Sequence, residues 1–471
     1  MFLGALLEKI NPFAKQSIKL TNVDDVSRNH IVKEKLPLLK AECSRAEREQ
    51  EEFLEKLRVC CTLFDFRDAS SNLIGKDAKL KALNEVLKFV DEGQGMLTDL
   101  IYVEIVKMVA CNIIRTFPPN TLSPFNPDVD EQLLDATWVH LEVVYHVFLG
   151  ILDSREFKPS VAKGPIDRKF VLQLLMLLNS ADPRERGFLK WVILRIYSKI
   201  YGLRSYIRTQ IYNIFYQFIY IVEDFNGIAE LLWVQTTIFE SCFTAASKAE
   251  HEECLEKILM PLHKVKSLPT FHNQLEQSLI QYLVKDSKYI ENIVRGLIKF
   301  WPKTSTQKEI LFLDEIDSYA NGIAPEQFLA IQKPLLTQLA TCVRSPHTEV
   351  AEHALNILNN KHMISLFEPN TAVVMPIICP ALLSISKGHW NQTVLKRGYA
   401  ALQLLVEMNP DLFNELLNDC SGEKERVKQR QRERELAWKK VNELVAKRRK
   451  LDAEYLPSPM SSSEGNITNS E

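Results

Sequence analysis

From about residue 45 to about residue 420 apolar residues recur three and four positions apart, and nowhere does this spacing give way to the alternation of a strand. The stretch 205–222 is representative. Ile207, Ile211, Ile214, Phe215, Phe218 and Val222 line one face of a helix, while Arg208, Gln210, Asn213 and Gln217 supply the polar side. Prolines punctuate the pattern at 165, 183, 302, 325 and 346, each near a helix start. Asp182-Pro183 and Ala324-Pro325 suit a helix with Pro in its first turn. Eight helix pairs are expected, beginning near residues 45, 97, 166, 205, 250, 288, 325 and 371. Their mean spacing of about 47 residues stands at the upper edge of two-helix repeat periods. Loops near 117–130 and 153–165 stretch the first two. A helix pair of this kind cannot bury its apolar face alone, so neighbours stack into an α-solenoid. Glycine, at 15 of 471 residues, is too scarce for many tight turns or Gly-rich phosphate loops.

The ends differ from the body. Residues 1–34 read as an N-terminal arm of weak periodicity, and 35–420 as the solenoid. Residues 421–451 form a basic C-terminal helix: 421–450 carry twelve Lys/Arg against five Asp/Glu. Two readings stay open for it, a solvated helix capping the last repeat or a nuclear-import or partner-binding patch centred on Lys447-Arg448-Arg449-Lys450. The final stretch, 452–471, holds four acids and no base and is expected to be disordered. Its Ser458-Pro459 is a candidate phosphosite. Without its basic helix the body is mildly acidic, which disfavours nucleic acid as a partner. No apolar run is expected to reach the length of a membrane span, and Met1 to Leu7 is too short for a secretion signal. The nine cysteines, at 43, 60, 61, 111, 242, 254, 342, 379 and 420, show neither a C-x-x-C pair nor a disulfide framework. They fit a reducing compartment, cytoplasm with the nucleus as a further site.

The sequence carries no phosphate-binding glycine loop, no nucleophile elbow and no H-E-x-x-H. His251-Glu-Glu-Cys254 lacks the further ligands a metal needs and reads as polar residues on the surface of a helix. His347 and His353 have no zincin spacing. Asp314-Glu-Ile-Asp317 lacks the glycine turn and distal glutamate of a calcium loop and reads as a solvated helix face. Neither a metal nor a cofactor is expected, and the chain is not expected to be an enzyme.

Several segments nevertheless resemble the B-prime, or fifty-six-kilodalton, family of protein phosphatase 2A regulatory subunits. They are Leu57-Arg-Val-Cys-Cys-Thr-Leu-Phe-Asp-Phe66, Arg115-Thr-Phe-Pro-Pro119, Lys169-Phe-Val-Leu-Gln-Leu-Leu175, Asp182-Pro-Arg-Glu-Arg186, Asn226-Gly-Ile-Ala-Glu-Leu-Leu232, Leu262-His-Lys-Val-Lys-Ser-Leu268, Trp301-Pro-Lys-Thr304, Ser345-Pro-His347, Val350-Ala-Glu352 and His389-Trp-Asn391. They fall in family order between about 36 and 440. The resemblance implies a right-handed α-solenoid of about eight HEAT-like helix-pair repeats. It also implies docking on the phosphatase scaffold subunit and catalytic subunit, the latter supplying all the chemistry.

The family also has a groove for a short peptide motif, Leu-x-x-Ile-x-Glu. By resemblance its counterpart here uses Lys190, Arg195 and Arg204 as cations for the motif's carboxylate, with Tyr197, Val234 and Ile238 lining apolar pockets. Three positions depart from the family pattern: Trp191 stands for a small Thr, Leu194 for a His and Trp233 for an acidic residue. Solenoid packing beside a solvated basic edge is the plain alternative for these residues. For the whole chain, the alternative is an unrelated α-solenoid scaffold or transport adaptor.

Overall fold

The computed structural model of the chain describes residues 45–66, 68, 70–92, 98–116, 135–155, 157–242, 248–386 and 388–455. The expected arm 1–34, the loop near 117–130 and the tail beyond 455, with Ser458, lie outside them. The chain divides into two compact units, Met1–Phe53 and Leu54–Glu471. Of the first only residues 45–53, the opening turns of a helix, are described. All later described residues belong to the second.

Among the described residues the regular structure is helical, without strands. The principal helices are α1 (Arg45–Cys60), α2 (Leu73–Glu92), α3 (Asp99–Ile113), α4 (Trp138–Asp153), α5 (Arg168–Leu177) and α6 (Pro183–Lys199). Next come α7 (Arg204–Tyr220), α8 (Ile228–Cys242) and α9, in which Lys248–Cys254 continues through a π-helical turn, Leu255–Leu259, to Met260–Leu262. The series ends with α10 (His272–Lys285), α11 (Tyr289–Lys299), α12 (Thr306–Ala320), α13 (Pro325–Val343), α14 (Thr348–Leu358), α15 (Thr371–Ile385), α16 (Gln392–Met408) and α17 (Pro410–Tyr455). Every one of the eight expected starts lies within two residues of an observed helix start.

Local chemistry explains many of these starts. Asp167 accepts the Phe170 N–H at 2.8 Å, and Asn391 accepts those of Thr393 and Val394. Asp182 accepts the Arg184 N–H, with Pro183 as the first helical residue. Each cap satisfies amides that the first turn cannot pair internally. Gln327 reaches back to accept the Ala324 N–H ahead of Pro325, which opens α13.

The helices pack in two rows. One runs α2, α4, α6, α8, α10, α12, α14, α16, each against the next. In the other, α5, α7 and α9 pack in sequence, as do α9, α11, α13, α15 and α17. Contacts between α3 and α4, α5 and α6, α13 and α14, and α15 and α16 join the rows. The core lies between them and includes Tyr145, Phe215, Phe239, Phe312 and Phe328, all fully buried. Each such side chain contributes roughly 1.5–3 kcal/mol by leaving water. Gly227, just before α8, is required by close approach: a Cβ there would lie 2.5 Å from the Leu178 carbonyl oxygen.

Five expectations need correction. Val222, expected on the apolar face of the helix over 205–222, lies beyond its end at Tyr220 and is exposed. His251 and Cys254 are buried rather than on the surface; the His251 ring meets Phe239 edge-on at 4.8 Å. Glu315, expected on a solvated face, has no exposed surface, because His263, His272 and Tyr319 surround its carboxylate. The basic segment does not begin a new helix at 421, since α17 runs unbroken from Pro410 to Tyr455. One stretch, Lys361–Ile385, is long and apolar enough to cross a membrane. In the fold it is divided by a 3₁₀ turn, Glu368–Asn370, and its second part, α15, buries Val374, Ile378 and Leu382 against its neighbours.

Candidate functional site

Helices α6 and α8 are neighbours in one row and carry most of the residues expected to form a groove. Trp191, on α6, is 42% exposed and meets Trp233, on α8, edge-on with ring centroids 4.7 Å apart. Lys190 Nζ lies 4.8 Å above the Trp233 ring, and the Arg195 guanidinium 5.9 Å from the Trp191 ring. These four side chains form one ladder in which two cations flank two indoles, an arrangement that favours positive charge at the ring faces. At its Arg195 end Nε donates to Asp153, the last residue of α4, at 2.7 Å.

The other expected residues sit apart from this ladder. Arg204 donates to the Tyr197 and Ser198 carbonyl oxygens at 2.9 and 3.2 Å, so it caps the end of α6, and it lies 4.2 Å over the exposed ring of Tyr201. Tyr197 is 3% exposed, and its hydroxyl accepts from Arg208, which also donates to Glu250 at 2.8 Å. Burial works against the Arg208 charge, but the Tyr197 hydroxyl and the Glu250 carboxylate together hold its pKa above the ordinary value. Leu194 is half-buried. Val234 and Ile238, expected as pocket walls, are 0% and 1% exposed and belong to the core. Here the i, i+4 spacing correctly puts the two on one face, and that face points inward.

The structure thus brings Lys190, Trp191, Arg195 and Trp233 together at the surface and leaves Val234, Ile238 and Tyr197 beneath it. Sequence reasoning missed Asp153, Arg208 and Glu250. Each is an ordinary charge in its own helix, and only helix packing sets Asp153 beside Arg195, and Glu250 and Tyr197 beside Arg208. Chemically the ladder offers stacked cations to an anionic side chain, with Arg195 already sharing its charge with Asp153. Among the described residues no cluster of His, Cys, Asp and Glu could hold a metal ion.

A family model, "Protein phosphatase 2A regulatory B subunit (B56 family)", matches residues 36–445. The chain belongs to the B56 family. It is 46% identical over 412 residues to the mouse serine/threonine-protein phosphatase 2A 56 kDa regulatory subunit alpha isoform, covering 88% of this chain and 85% of that one. The rabbit delta isoform is 46% identical over 416 residues, covering 88% and 70%. The rat beta isoform is 45% identical over 393, covering 83% and 79%. A solved structure of an engineered protein aligns over 81% of this chain and 90% of its own, at 13% identity and a TM-score of 0.36, too slight a likeness to bear on the fold.

In this B56 chain several of the segments that carry the family resemblance hold joints between successive helix pairs. Arg115, beyond the end of α3, makes a two-pronged contact with the fully buried Glu185 of α6, both bonds at 2.7 Å; it also meets Asp135, and Tyr145 donates to Glu185 at 2.9 Å. Arg186 pairs with Glu230 on α8 at 3.0 Å. Asn226 bonds Asn179 through both its backbone N–H and its side chain. Lys308 donates to the carbonyls of His263 and Val265, and Trp390 to that of Pro346. Such joints give partners to polar groups near the ends of helices, among which Glu185 is fully buried.

Proposed function

We propose that this chain is a non-catalytic regulatory subunit that joins the protein phosphatase 2A scaffold subunit and catalytic subunit and brings substrates to them. The observation that carries the reading is the family match over 36–445, with about 46% identity to named regulatory subunits across most of the chain. The two helix rows are read as a right-handed α-solenoid of about eight HEAT-like repeats. Its support is the sequence separation of side-chain bonds between successive pairs: 47 for Asn226–Asn179, 44 for Arg186–Glu230, 44 for Ser267–Glu223, 45 for Lys308–His263, 40 for Gln327–Ser287 and 44 for Trp390–Pro346. A bond that recurs at one repeat period is what stacked two-helix units produce.

The mechanism is effective concentration. A substrate peptide held on the regulatory subunit meets the catalytic subunit almost intramolecularly, so a modest affinity suffices. For a Leu-x-x-Ile-x-Glu-like motif, each apolar anchor contributes about 1.5–3 kcal/mol and ordering the peptide costs about 2–5 kcal/mol. Where the family pattern has a His donor this chain has Leu194, and a lost charge-assisted hydrogen bond weakens the carboxylate contact by about 1.5–3 kcal/mol. The cation ladder of Lys190 and Arg195 on Trp233 and Trp191 supports an acidic motif at this place. The reading puts the chain in the cytoplasm and, through the basic stretch around Lys447 and Arg448, in the nucleus; deleting that stretch would then exclude a tagged chain from nuclei.

Two experiments test the function. The full chain mixed with scaffold and catalytic subunits should elute as a stoichiometric complex at physiological salt; failure to do so favours a general scaffold or transport adaptor. A labelled Leu-x-x-Ile-x-Glu peptide should bind the wild type in the micromolar range and lose binding to Arg195→Ala. Equal weak binding by both means the groove is not a carboxylate site.

A further inference from the structure

A second charged feature shares no residue with the ladder. The turn after α9 and the turn between α11 and α12 enclose a cleft of about 460 Å³, lined by Lys264, Lys266, Lys299 and Lys308 together with Phe300, Trp301 and Ser305. Four lysines lining one cleft gather positive charge there, which a bound anion would relieve. Lys264 and Lys299 stand 5.6 and 5.5 Å from the same Phe300 ring, which holds both heads at the cleft wall. The acidic neighbour in view, Glu223, accepts the Ser267 N–H and hydroxyl at 2.6 Å each through one oxygen, and its charge partly offsets the burial of Lys308. No carboxylate pairs with Lys264, Lys266 or Lys299 among the ion pairs of the described residues.

Lys308 is the preorganised member. Its Nζ donates to the His263 and Val265 carbonyls, both at 2.9 Å, which uses two of its three N–H groups and aims the charge without neutralising it. Burial lowers its pKa, the mark of a cation short of solvation. Ser305 caps α12, a fifteen-residue helix, and its hydroxyl proton is free of that role because the oxygen accepts the Lys308 N–H.

The ligand class follows from the kind of donor. Carboxylates are best matched by the planar fork of arginine, and none lines this cleft. Compact ammonium charges suit the three oxygens and near-double charge of a phosphate monoester. Beside the cleft, Lys264 Nζ lies 5.9 Å from the Tyr220 ring, and Tyr220, Ile221 and Val222 are exposed in sequence. An exposed apolar run next to four cations fits a peptide carrying both a phosphate and an apolar side chain. We propose that this cleft is a phosphate site that receives a phosphorylated serine or threonine of an extended peptide, with Tyr220, Ile221 and Val222 taking an apolar neighbour of that residue.

The test uses the full chain and a fluorescein-labelled peptide, Gly-Ala-Leu-phosphoserine-Ala-Leu-Gly, followed by fluorescence polarisation at low salt. The phosphopeptide should bind at least about tenfold more tightly than its unphosphorylated twin. Inorganic phosphate should displace it, and about 0.3 M NaCl should weaken it severalfold. The variant Lys264→Glu/Lys266→Glu/Lys299→Glu changes exposed positions only. It should melt as the wild type does and bind both peptides equally weakly, while Arg195→Ala should leave phosphopeptide binding unchanged. Equal binding of both peptides by the wild type, or unchanged phosphopeptide binding by the triple variant, overturns the proposal. So does sedimentation with phosphatidylserine vesicles in the absence of phosphopeptide binding, which would assign the lysines to a lipid surface.

Discussion

Glu315 offers the sharpest test of how this fold holds together. Its carboxylate is buried between α9, α10 and α12. One oxygen accepts from His263 Nε2 at 3.3 Å and from His272 Nε2 at 3.0 Å, and the other accepts from the Tyr319 hydroxyl at 2.8 Å. His263 Nδ1 also lies 3.0 Å from the Met260 carbonyl oxygen, which fixes the ring beside the carboxylate. Burial alone would raise the Glu315 pKa, but the His263 charge and the two imidazole hydrogen bonds overcome it and bring the value down to about 2 from 4.5. A carboxylate depressed in the folded state lends stability above its unfolded pKa and withdraws it as the pH falls through the folded one. At about 1.4 kcal/mol per unit, the stabilisation is on the order of 3 kcal/mol at pH 7, declining below about pH 4.5. Glu315→Gln keeps the shape and removes the charge. Circular-dichroism melts of both proteins between pH 7 and pH 3 should show the variant clearly less stable at neutral pH and the gap closing as the pH falls. A gap that stays constant from pH 7 to pH 3 would refute the electrostatic account and leave only packing. Tyr319→Phe, which deletes a hydrogen bond to the buried carboxylate, should cost about 1.5–3 kcal/mol at pH 7, a gap that also narrows as the pH falls.

Three further outcomes are expected from the joints and the ladder. Arg115→Ala leaves Glu185 buried with only the Tyr145 hydroxyl as an observed partner, and should lower stability by about 3–5 kcal/mol, seen as a lower urea midpoint. Gly227→Ala sets a methyl against the Leu178 carbonyl, so α8 must shift; a loss of about 1–3 kcal/mol and faster amide exchange in α8 are expected. Asp153→Asn removes the carboxylate that shares Arg195, and should tighten binding of a Leu-x-x-Ile-x-Glu peptide severalfold by calorimetry; unchanged affinity would show that Arg195 does not meet the peptide.

Periodicity and proline placement alone located eight helix starts in this chain, because an amphipathic helix writes its buried face into spacings of three and four and its start into a cap. All-helical class, the starts of α6, α7 and α13, and the pairing of Val234 with Ile238 on one face were legible for that reason. What spacing cannot state is which way a face turns. Only packing made Val234 and Ile238 interior, set Trp191 against Trp233, and enclosed Glu315 and His251 where a string of polar letters suggested a wet surface. The partners that packing supplies, Asp153 to Arg195 and His263 to Glu315, lie 42 and 52 residues away along the chain. Helix periodicity is a local property within a few turns, whereas burial and ion pairing belong to contacts between helices a repeat or more apart, and those exist only once the rows have stacked.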